Sequence, residues 1–403
     1  MNKKEVKKAP TLRFKGFTND WEQRKLKEVV NINPSTNVPN TFNYVDLNSV
    51  KGVSLIKVKK INKKEAPSRA QRVAKNGDIF YQMVRPYQKN NYLFNKPKTS
   101  FPYVFSTGYA QLRSIKTSPS YIFPLLQKSD FVNKVLAHST GTSYPAINSR
   151  DLGQIKIYLP NELVEQNKIG EIFQKINKII ELQQRKLELL KASKKAVLQN
   201  IFTDTKRVPT IRFNTFSENW NQKRLKPFLI KYNKKTTANN QYPVLTSSRQ
   251  GLFFQKDYYD GNQIASKNNI GYNIVPRNYF TYRHMSDDLI FHFNINTICD
   301  YGIVSTLYPV FTTTSEIDSQ WLLYYLNHSV DIKKYALLQK QGGSRTYMYF
   351  SKLESLKAHI PALAEQKKIS SLIFKIDEQI YFQQKKLKYL QKSKRFLLQN
   401  MFI

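Results

Sequence analysis

Residues 165–202 read EQNKIGEIFQKINKIIELQQRKLELLKASKKAVLQNIF, and residues 365–402 read EQKKISSLIFKIDEQIYFQQKKLKYLQKSKRFLLQNMF. The two stretches run in step without a gap, and about half their positions are identical. A repeat of this kind decides the architecture before any local reading does. Neither stretch contains proline. Both are rich in Lys, Leu, Gln, Glu and Ile, which mostly favour helix.

The apolar seam of the first copy is Ile169, Ile172, Ile176, Ile180, Gln183, Leu187, Leu190, Lys194, Val197 and Ile201. In the second it is Ile369, Leu372, Ile376, Ile380, Gln383, Leu387, Leu390, Lys394, Leu397 and Met401. The steps are threes and fours, as in a coiled coil, with one extra four near the middle that relaxes the supercoil. The pattern predicts two helices of about 38 residues, each on the order of 57 Å long. A glutamine and a lysine interrupt both seams; such polar breaks fix register at some expense in stability. Two separate amphipathic helices, each covering its own domain, are one reading. Two helices packed on each other are the other, and if they run antiparallel Gln183 and Gln383 meet near the middle.

A second repeat lies outside the helices. Residues 10–27 read PTLRFKGFTNDWEQRKLK and residues 209–226 read PTIRFNTFSENWNQKRLK. The chain is therefore a tandem duplication. Each half has an opening segment, a divergent middle and a closing helix. The boundaries read as a basic tail and opening segment (1–20), a first module (21–160), a central helix (161–202), a linker with the repeated opening segment (203–220), a second module (221–361) and a C-terminal helix (362–403).

The middles carry short β-like runs. In the first they are 29–32, 53–58 and 78–81, the last led in by a turn at Gly77 and Asp78, with a helix over 120–137 and a turn and closing strand over 151–160. In the second they are 270–275 and 290–295, with a helix over 319–327 and a closing strand over 353–361. The fold class is α+β with pseudo-two-fold duplication. Scaffold segments repeat closely while the middles share layout but little sequence, as two recognition modules with different targets do; drift of a duplicated fold leaves the same trace.

The chain of 403 residues carries 65 Lys and Arg against 28 Asp and Glu, a net charge of +37. Such an excess favours a polyanion, either nucleic acid or an anionic membrane surface. The 25 tyrosines suit base stacking, and equally suit β-sheet. A single cysteine, Cys299, excludes a disulfide framework and a multi-cysteine zinc site within one chain, and fits a reducing cytosol. The N-terminal lysines are not followed by an apolar run, so no signal peptide and no membrane span are expected. A cytoplasmic location follows.

Catalytic patterns are not evident. There is no Gly-x-x-x-x-Gly-Lys phosphate loop and no Gly-rich dinucleotide turn. Asn33-Pro34 is not followed by the proline and aromatic of a base-flipping adenine methyltransferase. The five histidines, 138, 284, 292, 328 and 359, are scattered. What remains is basic and polar side chains on loops. The first module offers Gln82, Arg85, Tyr87, Gln88, Lys89 and Asn90, and a loop beginning at Gly141 adds Thr142, Ser143, Tyr144, Asn148 and Arg150. The second offers Arg277, Asn278, Tyr282, Arg283 and His284, and a loop at 341 adds Gln341, Ser344, Arg345 and Tyr347. Arginine pairs bidentately with guanine, and Asn or Gln with adenine. Phosphate contacts and plain solvation remain open for each.

The layout resembles the DNA-specificity subunit of a type I restriction–modification enzyme. The residues that carry the likeness are the Gly-led loop, the strand ending Ile-x-Leu-Pro or Ile-Pro, and Glu-Gln-x-Lys-Ile opening a helix that closes on Leu-Gln-Asn, all repeated once. The run Gly77-Asp78-Ile79-Phe80 followed by Arg85-Pro86 also looks like a target-recognition domain of that family. The resemblance implies that each module reads one half of a split double-stranded DNA sequence. It implies that the helices pair antiparallel, set the spacer and dock two methyltransferase subunits bearing S-adenosylmethionine, and that two motor–nuclease subunits using ATP and Mg join them. It implies no catalysis and no cofactor in this chain. Outside the resemblance, a nonspecific basic coiled-coil scaffold for nucleic acid stays open, as does an enzyme with an unrecognised site.

Overall fold

The structure, a computed structural model, describes residues 8–96, 101–202, 208–262, 265–340 and 344–403. The chain divides into two compact units, one of Met1–Leu187 with Gln383–Ile403 and one of Glu188–Phe382. Each unit thus takes one module, part of one long helix and part of the other. The long helices are Leu163–Asn200 and Leu363–Asn400, 38 residues each.

In the first unit the opening segment feeds the core. Trp21 is buried edge-on to Tyr121 at 5.9 Å. Strand Glu22–Lys25 pairs antiparallel with strand Lys156–Leu159, so the module begins and ends at neighbouring points. Between them lie two four-stranded sheets. One runs Val30–Ile32, Tyr109–Ser114, Ile79–Gln82, Tyr92–Leu93. The other runs Lys59–Asn62, Thr41–Val45, Tyr103–Ser106, Ala70–Val73, with its middle pair parallel. Ile79–Gln82 is buried along its whole length, because alternate side chains face opposite ways. Ile79 and Tyr81 enter the core shared with the helices, and Phe80 stacks on Phe105 at 3.6 Å in a separate aromatic core. Asp78, just before this strand, is buried and takes both fork nitrogens of Arg113 at 2.8 Å and Gln111 Nε2 at 2.7 Å.

The helix expected over 120–137 is two helices, Pro119–Leu125 and Ser129–Ala137. Pro124 lacks the donor a continuing turn needs, and Lys128 turns extended to start the second helix. The run 53–58 is a strand only at Ser54–Leu55, and the turn before the closing strand is a short helix, Ser149–Gln154. The first long helix crosses Pro119–Leu125 closely at Gly170, where a Cβ would lie 2.6 Å from the Ser120 backbone.

The second unit repeats the scaffold. Trp220 is buried against Trp321, and Asn221–Arg224 pairs with Lys357–Ile360. Its four-stranded sheet runs Leu229–Lys231, Val310–Thr313, Phe280–Tyr282, Phe293–Ile295. The strand expected at 270–275 begins at Asn273, because Gly271 holds a left-handed turn, and that expected at 290–295 is confined to Phe293–Ile295. Helix Ser319–His328 is followed by a second helix, Val330–Leu338, and the closing segment opens with a helical turn, Phe350–Ser355.

The Glu-Gln pair that opens each long helix is the joint of each unit. In the first, Arg13 forks onto Glu165 at 2.7 and 2.9 Å, Gln166 accepts from Ser118 N and donates to Pro160 O. In the second, Arg212 forks onto Glu365 at 2.8 Å, Gln366 accepts from Asp318 N and donates to Pro361 O. One dipeptide therefore ties the opening segment, the module and the helix together.

The seam residues lie inward. Ile169 and Ile369 are buried, as is Gln383, and Ile176, Gln183, Leu187, Leu190, Ile376, Leu387 and Leu390 are half-buried. In the first unit Ile169 and Phe173 share a core with Met401 and Phe402. In the second Leu198 and Ile201 share one with Ile369 and Ile373. No helix among the described residues is long and apolar enough to cross a membrane.

Candidate nucleic-acid interface

The first module's polar loop follows directly from the buried strand Ile79–Gln82. Gln82 is itself buried, so it braces the loop from below rather than presenting an amide outward. Its Oε1 accepts from Asn90 N at 3.2 Å and its Nε2 donates to Gln88 Oε1 at 3.0 Å. Asn90 Oδ1 accepts from Gly52 N at 2.8 Å. Lys89 turns inward and donates to Gln127 O and Ser129 Oγ at 3.0 and 3.2 Å. Burial, with Arg395 nearby, pushes the Lys89 ammonium below its ordinary pKa. Gln82, Lys89 and Asn90 thus form the support of the loop, not its reading edge.

Arg85 and Tyr87 point the other way. Arg85 sits in the left-handed region at φ 52°, ψ 55°, and Tyr87 is exposed. Arg85 N donates to Pro145 O at 2.7 Å, which joins this loop to the one at 141. The Arg85 guanidinium lies 4.0 Å from the centre of the Tyr144 ring, a cation–π contact on a tyrosine that is 64 % exposed. Ser143 is exposed beside it. Asn148 is a helix cap: its Oδ1 accepts from Asp151 N at 2.8 Å. Arg150 is exposed, but lines a separate cleft with Lys27 and Asn31.

The second module distributes its candidates differently. Tyr282 is fully buried in the core and donates to Met348 O at 2.8 Å, so it is a core residue and not a surface contact. Arg277 is exposed but tied to Asp300 at 2.9 Å and to Thr297 O. Asn278 occupies the left-handed position of the same turn, φ 66°. Arg345 pairs with Asp287 at 3.0 Å, and Ser344 is exposed next to it. Gln341 lies outside the described residues.

Two features escaped sequence reading. Tyr349 completes a rack with Tyr347 and His284: the tyrosine rings stack at 5.7 Å and 12°, and His284 lies 4.9 Å from Tyr349. The alternate spacing of Tyr347 and Tyr349 in a strand-like segment, which puts both on one face, was the available signal. The second is a polar cleft of about 440 Å³ lined by Arg249, Tyr258, Tyr259, Arg283 and Tyr308. Arg283 is exposed there, while Arg249 is held by Asp288, whose carboxyl it lowers to about 2. Arg283 is a sequence candidate; Arg249, Tyr258, Tyr259 and Tyr308 come from other segments of the chain, and nothing local marks them.

Each module therefore carries arginine and exposed tyrosine side chains on its loops: half-buried Arg85 with Tyr87 and Tyr144 in the first, exposed Arg277, Arg283 and Arg345 with Tyr347 and Tyr349 in the second. Residues 18–192 match the family described as type I restriction modification DNA specificity domain. A specificity subunit, that of the type I restriction enzyme MjaVIII from Methanocaldococcus jannaschii, is 27% identical over 211 residues, 48% of each chain. The chain thus matches about half the length of this curated relative. Its fold is that of two solved chains. A type I restriction–modification S subunit from M. genitalium superposes with a TM-score of 0.59 at 12% identity, covering 98% of this chain and 99% of that one. A chain from a type I R-M system, solved for its complex assembly and conformational transition, gives 0.51 at 19% identity, covering 95% and 97%. Over residues 18–192 the chain thus matches that domain family, and its fold is that of the two solved chains.

Proposed function

We propose that this chain is the sequence-reading subunit of a type I restriction–modification complex, binding a bipartite double-stranded DNA target with one module per half-site. The observation that carries the reading is the pair of matched joints, Arg13–Glu165–Gln166 and Arg212–Glu365–Gln366. One scaffold is built twice and carries two different sets of loop Arg and Tyr. A common frame with unlike reading edges is what a split, asymmetric target requires. The net charge of +37 supplies the phosphate attraction.

In this reading the long helices pair antiparallel as a coiled coil and set the spacer; the hydrogen bond between Gln183 and Gln383 supports it. The helices also dock two methyltransferase subunits, which carry S-adenosylmethionine, and two restriction subunits use ATP and Mg. The chain itself contributes recognition and assembly, not catalysis, and works in the cytoplasm. The domain limits are those of the repeat, with modules over 21–160 and 221–361.

The test is to co-express the chain with its cognate methyltransferase subunit and map methylated adenines in host DNA. One split motif with an unspecified spacer is the expected result. Methylation without a shared motif, or binding that falls steeply with salt but prefers no sequence, overturns it in favour of a nonspecific basic scaffold.

A further inference from the structure

We infer that Arg85 is the guanine-reading side chain of the first half-site; this rests on the recognition function proposed above. The backbone is the first argument. Arg85 holds φ 52°, a conformation unfavourable for an L residue and one that glycine adopts freely. Strain of this kind persists where the surroundings impose it, and it clusters at working sites. Here the surroundings are Pro86, which fixes the following φ, and the 2.7 Å hydrogen bond from Arg85 N to Pro145 O. Together they set the direction in which the side chain leaves the loop.

The side chain is equally constrained. Its guanidinium lies over the Tyr144 ring at 4.0 Å, and its Nε is shut from solvent without a partner. Among the described residues Arg85 makes no ion pair and no side-chain hydrogen bond. The contrast with other arginines is direct. Arg113 is held by Asp78, Arg249 by Asp288, Arg277 by Asp300 and Arg345 by Asp287. Of these five only Arg85 has no carboxylate partner, and its guanidinium lies on an exposed aromatic ring.

A phosphate needs only a positive charge within reach, and a mobile lysine serves. A base edge needs two donors in a fixed direction. A guanidinium with backbone and stem both fixed matches the O6 and N7 acceptors of guanine in the major groove. The fork also explains the residue itself, since glycine at position 85 would relieve the backbone and remove the fork.

The experiment uses the full chain with its cognate methyltransferase subunit, comparing wild type, Arg85→Gly and Arg85→Lys by mapping methylated adenines. Arg85→Gly relaxes the backbone, so its melting temperature should equal or exceed that of wild type. Its split motif should keep the second half unchanged and lose preference at one guanine of the first half. The discrimination lost is on the order of 10- to 100-fold. Arg85→Lys keeps the charge and should not restore it. An intact motif in Arg85→Gly overturns the inference alone. So does a uniform loss of methylation with a shallower salt dependence and no change of motif, which marks a phosphate contact. A wild-type chain that yields no split motif overturns the recognition function and this inference together.

Discussion

Gln383 donates from one amide nitrogen to both the main-chain and the side-chain oxygen of Gln183, its counterpart in the repeat. The two glutamines that break the apolar seams satisfy each other. Removing Gln383 leaves the half-buried Gln183 amide without this donor, at roughly 1–3 kcal/mol, whereas removing the Gln183 side chain still leaves Gln383 its main-chain acceptor. Gln383→Leu alone should therefore lower stability, and Gln183→Leu should lower it by less. The double change to leucine should be neutral or stabilising, because neither polar group remains to be satisfied. Denaturant unfolding of the three variants checks this. A double variant less stable than both singles would mean that the seam depends on the amides for more than register.

The joint at each helix start predicts a sharper loss. Glu165 is 1 % exposed and its only described cation is Arg13; Glu365, 2 % exposed, has Arg212. The hydrogen bond to Glu165 is the main reason the Arg13 guanidinium is raised above its ordinary pKa. Glu165→Ala leaves a largely buried guanidinium unpaired, and such broken pairs cost about 3–5 kcal/mol. Arg13→Met with Glu165→Leu removes both charges and should recover most of that. Melting of the single and double variants measures the difference.

The same joint shows what was legible in the sequence and what was not. Glu-Gln stood out as a repeated dipeptide, and the helices predicted over 165–202 and 365–402 are found at Leu163–Asn200 and Leu363–Asn400. Long periodic segments constrain themselves, since every turn repeats the evidence of the last. The recognition loops do not. Lys89 and Arg85 are four residues apart in one polar run, yet Lys89 turns in to Gln127 and Ser129 while Arg85 turns out to Tyr144. What separates them is contact with residues far along the chain, and no local pattern encodes it. Tyr282 read as a loop contact for the same reason, and is core because Met348 lies above it.

A pH dependence follows from His328 in the second unit. Burial, reinforced by Lys194, His292 and Lys333 and opposed by Asp377, pushes this imidazole down to about 4. The unfolded chain takes up its proton near the ordinary histidine value of about 6.5. Between the two values the unfolded state binds more protons, so stability rises with pH and is lost as pH falls from about 6.5 to about 4. Allowing for partial exposure, the contribution is on the order of 2 kcal/mol. His292, also lowered by burial, adds to the same slope. Replacing His328 with Gln should flatten the dependence of unfolding free energy on pH between 4 and 7. An unchanged slope would assign it to other groups.

The antiparallel pair Glu22–Lys25 and Lys156–Leu159 makes the first module exchangeable. Its ends enter and leave the scaffold side by side, with Glu22 opposite Leu159, so a foreign module of another length can span the same two points. The parts that fasten it, Arg13, Trp21, Glu165 and Gln166, lie at or beyond the edges of residues 21–160, and only Trp21 falls inside the exchanged segment. A chimera that takes residues 21–160 from another protein matching the same specificity-domain family, keeping tryptophan at position 21, should fold and assemble as wild type does. Its methylation motif should change in one half-site and keep the other half and the spacer. If both halves change, the modules are not independent readers, and the one-module, one-half-site assignment fails. If neither changes, the bases are read from the scaffold rather than from the loops that carry Arg85 and Tyr144.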